Sequence, residues 1–152
     1  MNDLRIGFGS YSPDFSVPGD RRRFAKYAGY KNLKIEYAQV DKEYDLVYLT
    51  MNADLPAWID KKRNKGDKLK IVFELIDSYL TEPIGMNTVM RSTVRYFNGS
   101  FSKYKFNFKK VLEEMCSVSD AVVCSTLEQK RIISKFNVNT HISLDCFKFD
   151  IS

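Results

Sequence analysis

Apolar runs bounded by turn residues recur at 4–9, 33–38, 46–50, 69–75, 121–124 and 141–144, and their length and β-branched content predict six strands. Between them, apolar residues fall at helical spacing. Phe24, Tyr27 and Ala28 mark a helix over 21–29, Leu55, Trp58 and Ile59 one over 53–64, and a third spans 87–97. Phe108, Val111, Leu112 and Met115 mark a fourth over 106–117, and Ile132, Ile133 and Phe136 a fifth over 126–136. Only the link between the second and third strands lacks a helix. Strands that are continuously apolar, rather than alternating, are buried on both faces, which predicts an α/β, doubly wound, Rossmann-like three-layer domain with a mainly parallel sheet.

In such sheets ligands bind beyond the carboxyl ends of the strands, and this rule sorts the polar residues. Ser10, Ser12, Thr50, Asn52, Asp77, Ser78, Ser125, Thr126 and Asp145 follow strands and are expected at that crevice, whereas Asp45 and Asp120 precede strands and belong to turns at the opposite edge. The segment 10–20, rich in Ser, Pro and Gly, is long for a strand-to-helix link, and long loops at crevices are disproportionately functional. Gly7 and Gly9 partly match a dinucleotide fingerprint, but Ser12 takes the place of the third glycine and Pro13 follows it, so nicotinamide or flavin binding is not expected.

Charge then singles out a few clusters. Pro18-Gly19-Asp20-Arg21-Arg22-Arg23 offers Asp20 as a helix N-cap and places three guanidinium groups on the first turn, where the helix dipole is already positive. A phosphate at that terminus would reverse the sign of the repulsion, which makes Ser10, Gly19, Asp20, Arg21, Arg22 and Arg23 a candidate phosphate site. The ordinary alternative is a solvated charge run. Ser125-Thr126-Leu127-Glu128 reads as a capping box between Ser125 and Glu128, with Ser125 and Thr126 also facing the crevice. Glu74, Asp77 and Glu82 supply carboxylates at and after the fourth strand, with Asp77 the best placed to hold a hydroxyl.

His141 is the single histidine and no nucleophile motif accompanies it, so a structural role is expected and no metal site is. Lys61-Lys62-Arg63-Asn64-Lys65 and the stretch Lys103, Tyr104, Lys105, Phe106, Lys109 and Lys110 are basic clusters suited to an anionic surface, or to a solvated helix face.

The chain has 152 residues, 44% hydrophobic and 28% charged, which suits one folded domain and excludes disordered, fibrous and helix-spanning classes. Its 24 Lys and Arg against 19 Asp and Glu give a net charge of +5, a mild bias toward anionic partners. Cys116, Cys124 and Cys146 have neither framework nor zinc spacing, and no secretory signal opens the chain, so a reducing cytoplasmic setting is expected.

Gly19-Asp20-Arg21-Arg22-Arg23-Phe24, Tyr44-Asp45-Leu46-Val47-Tyr48-Leu49 and Phe73-Glu74-Leu75-Ile76-Asp77-Ser78-Tyr79 follow one another in an order that carries a resemblance. The most distinctive part is Ser119-Asp120-Ala121-Val122-Val123-Cys124-Ser125-Thr126-Leu127-Glu128-Gln129-Lys130, with Ile142-Ser143-Leu144-Asp145 after it. Over essentially its whole length the chain resembles the N-terminal, acceptor-side domain of bacterial GT-B glycosyltransferases of the retaining type. That resemblance implies transfer of a sugar from a nucleotide-activated donor to a hydroxyl, with the donor as co-substrate and neither cofactor nor metal required. It also implies that Asp77 positions the acceptor, that Arg21, Arg22 and Arg23 neutralise phosphate, and that the helix from Thr126 faces the cleft.

Residues 1–145 are then the N-terminal domain and 146–152 the start of an interdomain linker, with the donor-binding domain and its paired glutamates missing, so this chain alone is expected to be inactive. The tight Gly-Gly turn often seen after the first strand in that family is here Gly9-Ser10. Expected partners are a sugar or lipid-linked sugar acceptor, the missing domain, and peripherally an anionic membrane at the inner face through Lys103, Lys105, Lys109 and Lys110, but no nucleic acid. The alternative class is a stand-alone, non-catalytic module that binds an anionic, phosphorylated ligand or partner.

Overall fold

A computed structural model describes residues 4–20, 23–76, 78–81 and 85–143. Its strands are β1 (Ile6–Gly9), β2 (Ile35–Tyr37), β3 (Leu46–Leu49), β4 (Lys70–Glu74), β5 (Ala121–Cys124) and β6 (Thr140–Ile142). The helices are α1 (Arg23–Tyr30), α2 (Leu55–Lys65), α3 (Met86–Phe97), α4 (Phe108–Val118) and α5 (Leu127–Ile133). All six strands are parallel, in the order β2-β1-β3-β4-β5-β6, so the chain is an α/β, Rossmann-like domain. β2 and β3 flank β1, and the link between them has no helix, as the sequence predicts. That link is held instead by the Tyr44 hydroxyl, which donates to Tyr37 O at 3.3 Å and accepts from Gln39 N at 3.1 Å.

Register decides what each face carries. Phe8 pairs with Tyr48 across β1 and β3, and α1 covers that face by stacking Phe24 on Tyr48 with ring centroids 4.2 Å apart. The opposite parity, Val47, Leu49, Ile71, Phe73, Val122 and Cys124, joins Trp58 and Ile59 of α2 and Leu112 and Met115 of α4 in the main core. Gly7 and Gly9 lie on this second face. A Cβ on Gly7 would sit 3.1 Å from both Ala38 and Tyr44, and one on Gly9 would sit 2.8 Å from Leu49. Close side-chain packing explains both glycines without a ligand.

The basic run in α2 is structural. Lys62 Nζ donates to Asp120 at 2.8 Å and to Leu69 O at 2.7 Å, Arg63 pairs with Glu114 at 2.7 Å, and Lys65 with Glu43 at 3.0 Å. Lys61 Nζ donates to Val40 O at 2.7 Å and also to Lys42 O. Asp45 and Asp120 lie at the amino-terminal edge as expected, accepting from Arg5 N and Ile71 N, each at 2.8 Å. Among the described residues no helix is long and apolar enough to cross a membrane.

One expectation changes. The fourth helix starts at Phe108, N-capped by Asn107, so Lys103 and Lys105 lie in a loop rather than on a helix face, and Lys103 pairs with Asp60. α3 buries the small polar Thr88 and Ser92 and leaves Met86, Met90, Val94 and Phe97 exposed, the reverse of an ordinary amphipathic helix.

Candidate functional site

Strand order reverses between β1 and β3, so the loops leaving these strands diverge to opposite sides and open a crevice at their carboxyl ends. The Thr50 hydroxyl closes its floor by donating to Gly9 O at 2.7 Å. The 10–20 loop forms one wall and is wound around a single carboxylate. Asp20, 1% exposed, accepts from Tyr11 N at 2.5 Å, Ser12 N at 2.9 Å and the Ser12 hydroxyl at 3.0 Å. Ser10, also buried, donates its hydroxyl to Ser12 O at 2.7 Å, and Gly19 packs on the Tyr11 ring.

Inside lies a cavity of about 130 Å³ that Tyr11, Gly19, Arg23, Thr50, Met51 and Glu74 help to line. Arg23 Nη1 bonds Glu74 Oε1 at 3.0 Å, and both side chains are almost fully buried. Arg23 adopts a φ of 44°, a left-handed conformation that is costly for a residue with a Cβ, just where its side chain turns toward Glu74. Tyr48 lies on the same sheet face, and burial, then the Glu74 carboxylate, raise its phenol far above the ordinary value. A buried carboxylate beside a guanidinium and neutral hydroxyls suits hydroxyl-bearing ligands, because the carboxylate accepts while the guanidinium and hydroxyls donate.

Of the residues singled out from sequence, Ser10, Gly19, Asp20 and Arg23 gather at this crevice. Asp77, Arg21, Arg22, Glu82, Asp145 and Cys146 lie outside the described residues. Asp20, expected as a helix N-cap, spends its carboxylate on Tyr11 and Ser12 three residues ahead of Arg23, because the loop folds back before α1 begins. Arg23, expected at an open helix terminus, faces Glu74 instead.

The capping box is one residue later than expected. Thr126, not Ser125, is the N-cap of α5, and it accepts from Gln129 N at 3.1 Å while Gln129 Oε1 accepts from Thr126 N at 3.2 Å. Ser125 supports the same glutamine, donating to Gln129 Oε1 from its backbone at 3.0 Å and its hydroxyl at 2.9 Å. Gln129 Nε2 reaches Ile76 O at 2.5 Å, tying the start of α5 to the chain leaving β4.

Compared with protein-family models, curated proteins and solved structures, the chain matches none. Function must therefore be read from the crevice itself.

Two residues that sequence reasoning passed over, Tyr79 and Arg95, also line the carboxyl edge. With Asn52, which was expected there, they border a second groove beyond the Thr50–Ala53 turn. Arg95 is half-buried, and burial lowers its guanidinium from the ordinary value. The available signal was an arginine one turn after Ser92 on the polar side of α3, which marks a cation directed inward.

Proposed function

We propose that this domain is the acceptor side of a sugar transferase of the GT-B type, and that the β1–β3 crevice receives the hydroxyl-bearing acceptor. The observation that carries the reading is the buried Arg23–Glu74 pair at the one reversal of an all-parallel sheet. Burying two charges that way costs desolvation, which their attraction offsets only with good geometry and further hydrogen bonds, and a ligand hydroxyl can supply one to Glu74. The order of motifs along the chain supports the same reading, and Asp77, which follows Ile76 in the sequence, is the acceptor-positioning residue that the resemblance assigns.

In this reading the acceptor domain contributes orientation, while stabilisation of the leaving nucleotide diphosphate falls to groups on a second domain. The chain on its own should bind acceptor and transfer nothing. Ligand-observed NMR on the purified chain, with a panel of simple glycosides and nucleotide-sugars, tests this. Binding of glycosides with no response to nucleotide-sugars is expected. Nucleotide-sugar binding without glycoside binding, or sugar transfer by the isolated chain, would contradict it.

A further inference from the structure

Past the Thr50–Ala53 turn the carboxyl edge opens into a groove of about 630 Å³, within the range of small-ligand sites. Arg95 of α3 reaches into it. Its guanidinium carbon stands 4.7 Å above the Phe108 ring and 5.6 Å from that of Phe101, and Nη1 donates to Met51 O at 2.9 Å. Among the described residues no carboxylate pairs with this cation, and none lines the groove. A half-buried guanidinium held against two rings by a carbonyl is oriented, and its remaining N–H groups are left for another acceptor.

A second, independent observation points to the same place. Asn52 lines the groove, and its Nδ2 is buried with no hydrogen-bond acceptor among the described residues. Native folds rarely leave such a donor unsatisfied. Arg91 of the same helix also borders the groove, its guanidinium 4.5 Å over the Tyr79 ring. Beside these polar groups, Met90 and Val94 line the groove as exposed apolar side chains.

We infer that this groove binds the phosphate of a small monoester, with Arg95 and Asn52 donating to its oxygens and Met90 and Val94 covering its apolar body. A guanidinium fork and an amide lining one groove, with no acid among its described lining residues, suit a dianion with several acceptor oxygens. Met51 links the two sites, since it lines the crevice while its carbonyl holds Arg95. On the acceptor-side reading, the acceptor is therefore phosphorylated. The phosphate site itself stands without that reading, because it is probed at α3 and not at the β1–β3 crevice.

The test is a titration of isotope-labelled chain with inorganic phosphate, hexyl phosphate and hexanol, read from amide shifts. Hexyl phosphate should shift Asn52, Met90 and Arg95 and bind about tenfold tighter than inorganic phosphate, as expected for one or two covered apolar groups. Hexanol should not bind. Arg95→Gln, checked by a thermal melt, should weaken both phosphates about tenfold or more. Exposed Met90→Ser cannot disturb the core, and it should remove the advantage of hexyl phosphate while leaving inorganic phosphate binding unchanged. Phosphatidylcholine vesicles carrying phosphatidic acid separate the sources of the monoester. Flotation that hexyl phosphate competes away supports a lipid phosphate, and no flotation supports a soluble ester. Shifts spread over surface lysines, equal binding of hexanol, or both variants binding as the parent does would overturn the inference.

Discussion

Replacing Asp20 by Asn keeps the shape of the side chain and removes the charge around which the 10–20 loop is wound. The carboxylate accepts three hydrogen bonds, two from backbone N–H groups and one from a hydroxyl, at a site 1% exposed. Hydrogen bonds to a charged group contribute roughly 1.5–3 kcal/mol each. An asparagine oxygen can keep the bond from Tyr11 N, but its amide then meets Ser12 N donor to donor, so one charge-assisted bond is lost and another weakened. The expected cost is about 2–3 kcal/mol, roughly 5–10 °C in melting temperature for a chain of this size. The loss should be concentrated in the loop, raising amide exchange at Tyr11 and Ser12 by on the order of 30- to 150-fold while the β3 and β4 amides change only with global stability. Ser12→Ala, which removes only the hydroxyl, should cost about 0.5–1.5 kcal/mol. An Asp20→Asn protein with an unchanged urea midpoint and unchanged exchange at Tyr11 and Ser12 would refute the claim that this carboxylate organises the crevice wall.

Three further outcomes are expected. Gln129→Ala should cost about 2 kcal/mol in chemical denaturation, because it removes the reciprocal half of the capping box and the tie to Ile76 together, whereas Thr126→Ala should cost about 1 kcal/mol; equal losses would mean that the tie to Ile76 adds nothing. Burial pushes the Cys116 thiol up to about 12, so alkylation of the native chain at pH 8 followed by peptide mapping should leave Cys116 unmodified and label it only in denaturant. Burial alone would raise the Asp120 carboxyl, but hydrogen bonds from Lys62, Ile71 N and Lys70 outweigh it and hold the group below its ordinary value. Its stabilisation is therefore complete above the unfolded value near pH 4 and fades as pH falls through the folded one, so stability curves of the parent and Asp120→Asn should converge below about pH 4.

Short-range pattern was enough for the sheet. Continuous apolar runs located all six strands, and the absence of helical spacing between β2 and β3 is a bare link in the fold. Long-range partners were not readable in the same way. The cations of α2 look like a solvated patch in one dimension, yet they meet Glu43, Glu114 and Asp120, which lie far away along the chain. Gly7 and Gly9 suggest a nucleotide turn until Tyr44 and Leu49 are seen packed against them. At α5 two overlapping capping patterns, Ser125 to Glu128 and Thr126 to Gln129, fit the sequence equally, and the point where β5 ends selects the second. Arg95 was hidden for a similar reason. A cation on a short helix counts as surface until Phe101 and Phe108 come from a later segment to hold it.

The central claim is that ligand binding belongs to the carboxyl edge of the sheet at the β1–β3 reversal. An amide chemical-shift map of the labelled chain, titrated with the glycoside that binds best, tests it most directly. Shifts should concentrate at Ser10, Tyr11, Thr50, Met51 and Ile76, with Arg5, Asp45 and Asp120 at the opposite edge unmoved. A map centred on that opposite edge, or one with no focus at all, would contradict it.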